Sequence, residues 1–168
     1  EEYDDFHEYH CNETNLVYYH GHEYYCDVEN LDEFVWMEKL EEYHHESDVT
    51  ECPECSANFL EGDNFYSDIT EEDYCCEECR KKAEQTYKKE NWHYSDYDEE
   101  YYEHAEDIII YRVWNNILCE YERKTISVES AQRLLEAGEL HNLNGKLYDG
   151  IDEETGLPYA YEMNEINV

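Results

Sequence analysis

Positive charge is what this sequence has least of: its 168 residues carry 11 Lys and Arg against 46 Asp and Glu, a formal net charge of −35. Affinity for DNA, RNA and anionic lipid comes largely from Lys and Arg, so the shortage argues against direct binding to any of them. Glycine is scarce too, at six residues, and no Gly-rich phosphate-binding loop occurs. Long apolar runs are missing: stretches such as Ile108 to Ile110 fall far short of the roughly 20 residues that cross a bilayer. A soluble chain is expected.

Bulk, by contrast, is plentiful. Nineteen Tyr, four Phe and three Trp supply burial that disordered acidic segments lack, so a folded protein with an acidic skin is expected. Repulsion among so many carboxylates opposes compactness, and net charges in the single digits already suffice for solubility. The excess therefore points to a selection from outside the fold, either a strongly basic partner surface or a high-salt environment.

Eight cysteines suit either disulfides in a secreted chain or metal in an intracellular one, and spacing decides between them. Cys52-Pro53-Glu54-Cys55 and Cys76-Glu77-Glu78-Cys79 form two C-x2-C pairs, the pattern by which two tight turns place four thiolates around one tetrahedral Zn2+. The ligand set expected is Cys52, Cys55, Cys76 and Cys79, in a reducing cytoplasm. Cys75 is the alternative to Cys76, at the less common C-x3-C spacing. The second pair runs into Arg80 to Lys89, a stretch of good helix formers. Tyr74-Cys75-Cys76-Glu77-Glu78-Cys79-Arg80-Lys81-Lys82 resembles the closing segment of treble-clef zinc fingers, and the likeness spans about residues 50 to 90. It implies a structural core and an interaction platform, and says little about function. For Cys11, Cys26 and the His residues among the first 45 positions, no spacing selects a second metal site, so buried thiols and surface imidazoles are expected.

Along the chain, an acidic hairpin-helix segment is expected over 1–51, the zinc module over 52–90, and a helical core plus a C-terminal helix-hairpin unit over 91–168. The fold class is α+β. The stretch Leu16 to Cys26 reads as a hairpin around Gly21. Leu31, Phe34, Val35, Leu40 and Tyr43 follow helical spacing, as do Ala105, Ile109, Ile110, Val113, Trp114, Ile117, Leu118 and Tyr121. A zinc-module hairpin is expected from Leu60 to Ser67. Ser127 caps a helix over Val128 to Ala137 that ends at Gly138. Strands are expected around Leu147 to Ile151 and over Pro158 to Met163, joined by the acidic turn Asp152 to Leu157. Residues 126 to 163 resemble the small C-terminal repeat of type IA topoisomerases through Leu134-Leu135-Glu136-Ala137-Gly138 and Tyr159-Ala160-Tyr161. Where that family has cations in the turn, this chain has Asp152, Glu153 and Glu154, so a nucleic-acid-binding role does not carry over.

Catalysis finds no support in the sequence. Four thiolates close a zinc coordination sphere, whereas catalytic zinc keeps a position open. His7-Glu8-Tyr9-His10 sets its imidazoles three apart rather than the four of zinc proteases. His44-His45-Glu46 before Cys52-Pro53-Glu54-Cys55 fails the deaminase pattern in spacing and in the place of its Pro. No enzyme is expected. The leading expectation is a zinc-stabilised mimic of nucleic acid that blocks the basic groove of a DNA- or RNA-binding protein, in the manner of phage- or plasmid-encoded inhibitors of host defence. The alternatives are a zinc-finger adaptor for a basic protein and a halophilic protein. Partner contacts are expected from the Tyr- and acid-rich segment Asp96, Tyr97, Asp98, Glu99, Glu100, Tyr101 and Glu103, and from Asp152, Glu153 and Glu154.

Overall fold

The structure, a computed structural model, describes residues 1–159. Two compact units divide the chain, Glu1–Gln85 and Thr86–Val168. The architecture is α+β, made of short hairpins with few helices.

In the first unit, β1 (Glu2–Asp4) pairs with β2 (Tyr9–Cys11), and β3 (Thr14–Tyr19) with β4 (His22–Asp27). A 3-10 helix, Val28–Glu33, leads to the hairpin of β5 (Phe34–Met37) and β6 (Glu42–His45). β6 lies parallel to β3, with Val17 opposite Tyr43, which gives a four-stranded sheet in the order β4-β3-β6-β5. There follow the hairpins of β7 (Val49–Glu51) with β8 (Asn58–Leu60) and β9 (Phe65–Ser67) with β10 (Glu72–Tyr74), then α1 (Glu77–Asn91). The second unit repeats the opening plan. β11 (His93–Ser95) pairs with β12 (Glu100–Tyr102), and β13 (Ile108–Asn115) with β14 (Glu120–Ser127). Then come α2 (Val128–Ala137) and the hairpin of β15 (His141–Leu143) and β16 (Lys146–Tyr148). β16 lies parallel to β13, with Tyr111 opposite Leu147, in the order β14-β13-β16-β15. One topology is thus used twice. The helical slot holds a short 3-10 helix in the first unit and ten residues of α2 in the second, where Ala131 and Leu134 sit on the core formed with Tyr111, Ile126, Leu140 and Leu147.

Six hairpin loops share one geometry. In each, the amide of the fourth loop residue donates to the carbonyl of the residue before the loop: Glu8 to Asp4, Glu41 to Met37, Ser56 to Cys52, Glu71 to Ser67, Glu99 to Ser95 and Cys119 to Asn115, at 2.8–3.0 Å. Each of those fourth residues is left-handed, with φ between 54° and 62°. In four of these loops the side chain of the residue before the loop accepts loop amides. Asp4 takes the amide of His7, Ser67 those of Ile69 and Thr70, Ser95 that of Asp98, and Asn115 those of Ile117 and Leu118. Asp4, Ser67 and Ser95 are fully buried. One residue further out, aromatic rings meet across the strands: Tyr3 with His10, Trp36 with Tyr43, Tyr94 with Tyr101 and Trp114 with Tyr121, at 4.8–5.1 Å. Such pairs supply much of the cohesion of a short hairpin, which gives the abundant aromatic rings a structural task.

The hairpin around Gly21, the helix beginning in the Arg80 region, and α2 with its Ser127 cap and left-handed Gly138 stand as the sequence indicates. Two expected helices do not form. Residues 105–121 are a short 3-10 helix, Ala105–Asp107, and then the β13/β14 hairpin, because Ile109, Tyr111 and Val113 reach the core at a period of two and Asn115 closes a loop. The β-branched run Ile108–Ile110 favours the pleated conformation. Residues 31–43 likewise become the end of a 3-10 helix and the β5/β6 hairpin. Leu60 and Phe65 do not open one hairpin: β8 pairs back to β7 and β9 forward to β10. The strand expected near Leu147 is β16, and its partner is β15. Most of the strand expected over Pro158 to Met163 lies outside the described residues.

Candidate metal centre

The β7/β8 loop is Pro53-Glu54-Cys55-Ser56, one of the six shared loops, and Cys52 occupies the inward-turned position that Asp4, Ser67 and Ser95 fill elsewhere. The amide-rich geometry that suits a carboxylate there also suits a thiolate. Burial pushes Cys52 up, but backbone N–H groups of Cys75, Glu54 and Cys55 pull it down to about 6. Cys55 sits one turn further round the same loop. Cys75 follows β10 directly, and Cys79 lies in the first turn of α1.

Cys52, Cys55, Cys75 and Cys79 converge, with all four sulfurs within 4.8 Å of one another. Cys55 Sγ and Cys75 Sγ are 3.5 Å apart, and Cys75 Sγ and Cys79 Sγ 3.9 Å. A tetrahedron with metal–sulfur bonds of about 2.3 Å has edges of about 3.8 Å, and these two separations lie close to that value. Burial, together with hydrogen bonds shared with the Cys55 and Cys52 thiols, pushes Cys75 up to about 12 in the absence of a cation. A bound ion would reverse that, since coordination deprotonates thiols. The cluster also forms the floor of a small core with Phe59, Tyr74 and Ala83.

Cys76, the ligand expected from the commoner spacing, is corrected to Cys75. Cys76 immediately precedes α1, and its sulfur accepts the Cys79 amide at 3.5 Å, as an N-cap does. With that sulfur turned to the helix, the neighbouring Cys75 faces the loop.

A second group, Asp4, His7 and Cys26, lies within the same mutual distance, but its donors are already engaged. Asp4 accepts the amides of His7 at 2.8 Å and Asp27 at 2.7 Å. His7 lies between Asp4, 3.1 Å from Nδ1, and Glu33, 3.4 Å from Nε2. Burial opposes charge on His7, yet the two carboxylates outweigh it and its pKa is raised above 6.5. Burial pushes the Cys26 thiol up to about 12. The equivalent place in the second unit holds Ser95, Asp98 and Ile126. There Asp98 accepts the Ser127 amide at 2.9 Å, as Asp4 accepts that of Asp27. Asp96 accepts the Thr125 amide at 2.7 Å, as Asp5 accepts that of Tyr25 at 3.3 Å. The group is one form of a clasp that both units use to fasten their first hairpin to the sheet.

The clasp makes a pH prediction. The His7 contribution is fully present below its ordinary value of 6.5 and is lost as pH rises through the raised folded value. Urea unfolding followed between about pH 6 and 9 is expected to show the first unit losing stability as pH rises, and His7→Gln is expected to flatten that slope. An unchanged slope in the variant would remove the imidazolium from the clasp.

Several of the expected partner-contact residues are bonded within the second unit, and most are exposed. Asp96 and Asp98 are bonded within the second unit, and Asp152 accepts the amides of Glu154 and Thr155 at 2.9 Å. Tyr97 packs edge-on against Tyr111, and Tyr101 against Tyr94. Asp96, Tyr97, Glu99, Glu100, Glu103, Glu153 and Glu154 are exposed. The clasp residues Asp4, Asp5 and His7 were not anticipated from sequence. A signal for the shared loop is present in Tyr66-Ser67-Asp68-x-x-Glu71-Glu72 and Tyr94-Ser95-Asp96-x-x-Glu99-Glu100, with Tyr3-Asp4-Asp5-x-x-Glu8 and Trp36-Met37-Glu38-x-x-Glu41-Glu42 as looser copies.

No family model, curated protein or solved structure matches this chain. The site and fold themselves define a small α+β protein with a cluster of four cysteines spaced so that they could hold a metal ion. No helix among the described residues is long and apolar enough to cross a membrane.

Proposed function

We propose that this is a zinc-stapled acidic binding protein that occupies the basic groove of a nucleic-acid-binding protein, taking the place of the polymer. Four thiolates with no open position favour zinc in a structural role. The order of knuckle, hairpin and helix supports a treble-clef-like module.

The observation that carries the reading is the identity of the left-handed loop residues. Glu8, Glu41, Glu71 and Glu99 are all exposed and all have positive φ. Glycine is the favoured residue there, and a non-glycine side chain costs about 1 kcal/mol at each such position. Glutamate is kept at four separate corners against that cost, which is what selection for displayed charge predicts. Each hairpin holds its own carboxylate at a fixed corner, as a surrogate for phosphates requires.

The test is displacement. Zinc-loaded protein is mixed with cell-lysate proteins retained on a DNA column, at several salt concentrations. A defined DNA-binding protein should elute bound to it, less so as salt rises. The variant carrying Glu8→Gly, Glu41→Gly, Glu71→Gly and Glu99→Gly is expected to unfold at higher temperature, by relief of backbone strain, and to displace less. If the glycine variant displaces as well as the parent, the corner glutamates are not the mimic's surface. A folded parent that elutes nothing at low salt removes the proposal.

An adaptor for a basic protein, without mimicry, is the second reading. It is favoured by an apolar cavity beside the cysteine cluster.

A further inference from the structure

Within the first unit, a cavity of about 470 Å3 opens between the β5/β6 loop and strand β8. Trp36 and Leu40 line one side, Phe59 and Leu60 the other, and Glu38, Lys39 and Asp63 also border it. Its size falls in the range of sites that receive a side chain or small ligand. Trp36 and Leu40 are 47% and 45% exposed, unusual for large apolar groups flanking a concavity.

Comparison among the shared loops shows what Leu40 lacks. In several of the shared loops the third residue engages a neighbour, whereas it is an apolar side chain in two of them, Leu40 and the 60% exposed Leu118. His7 meets Asp4 and Glu33, Asp98 takes the hydroxyl of Ser130 and the amide of Ser127, and Thr70 Oγ1 bonds the Tyr74 hydroxyl at 2.8 Å. In the β5/β6 loop that residue is Leu40, and it faces the cavity.

Charge selects the occupant. A second copy would bring together two chains of net charge −35, and nucleic acid or an anionic bilayer would be repelled in the same way. At the cavity the two carboxylates of Glu38 and Asp63 outnumber the one ammonium of Lys39, and so complement cations on either side of an inserted group. We propose that this cavity is a docking pocket for one bulky apolar side chain, aromatic or aliphatic, presented between Lys or Arg residues on a cationic protein. The inference rests on the reading of the protein as a binder of basic surfaces and locates where that surface is gripped.

Two fluorescently labelled nonapeptides test it: eight lysines flanking a central phenylalanine, and the same peptide with serine at the centre. Anisotropy titrations at low salt give both affinities. Burying the phenylalanine should make the first peptide bind at least about tenfold more tightly. Leu40→Ser, which removes the apolar wall, and Asn58→Trp, which fills the space from β8, should each abolish that preference and leave the serine peptide's affinity unchanged. The exposed position of both residues keeps at least one variant folded, as judged by circular dichroism. If the two peptides bind equally, or the preference survives both substitutions, the pocket is overturned while the acidic-surface reading stands. If neither peptide binds, or binding ignores salt, both fall.

Discussion

Cys75→Ser is expected to abolish stoichiometric metal binding, whereas Cys76→Ser retains one ion per chain. The two thiols are adjacent in sequence and differ in what they face. Cys75 lies 3.5 Å from Cys55 and 3.9 Å from Cys79, and Cys76 accepts the Cys79 amide at the start of α1. Serine is among the better N-cap residues, so the second substitution keeps the helix cap while removing the sulfur. Structural zinc sites contribute on the order of 10 kcal/mol or more to folding. The module around the cysteine cluster has a core built on Cys52, Phe59 and Tyr74, too small to stand alone. Loss of the ion should therefore unfold the module. The measurement is elemental analysis of metal per chain on gel-filtered protein, with near-ultraviolet circular dichroism reporting the packing of Tyr74. Loss of metal from both variants alike would show that the cluster rearranges on binding.

Asp98→Ala is expected to destabilise the second unit by about 4 kcal/mol. The Asp98 carboxylate accepts the Ser95 hydroxyl at 2.6 Å, the Ser127 amide at 2.9 Å and the Ser130 hydroxyl. Ser95, Ser127 and Ser130 are all buried, so truncation leaves several donors without an acceptor, at about 1–3 kcal/mol each. The clasp also sets the start of α2, because Ser127 is its N-cap. Burial pushes the Asp98 carboxyl up, but the hydrogen bonds from Ser130, Ser95 and Ser127 prevail and hold it at about 2 against an ordinary 3.8. A depressed carboxyl contributes stability that is complete above its unfolded value and disappears as pH falls through the folded one. The difference between parent and variant should thus be full at neutral pH, shrink below about pH 4, and be reduced by roughly half near pH 2. Urea unfolding across that range measures it. A difference that does not change with pH would mean that shape, rather than the charge-assisted bonds, holds the clasp.

Local signals were legible where a single residue decides a single turn. Gly21 sets a tight hairpin, while Ser127 and Gly138 bracket α2 because one offers an acceptor and the other a left-handed backbone. The stretch 105–121 was not legible, since its apolar residues satisfy a period near 3.6 about as well as one of two. What decides between them is the pairing of β13 with β14 and β16, which local sequence does not encode. The carboxylates were also indistinguishable by type. Among so many acids, only folding shows that Asp4, Asp5, Asp96 and Asp98 are fastened to backbone amides and that Glu8, Glu41, Glu71 and Glu99 stand on exposed corners.

The sequence by itself determined the acidity, the presence of four metal-spaced thiols and the α+β class, because these follow from composition and from short-range spacing. Tertiary structure decided that Cys75 rather than Cys76 joins the cluster, since a helix start can face only one of two adjacent thiols toward the loop. It also decided that one hairpin-and-sheet plan serves both units, with an acid clasp in place of a larger core. Those choices depend on residues brought together from positions as far apart as Asp98 and Ser130, where hydrogen bonds that water would otherwise satisfy are made inside the fold.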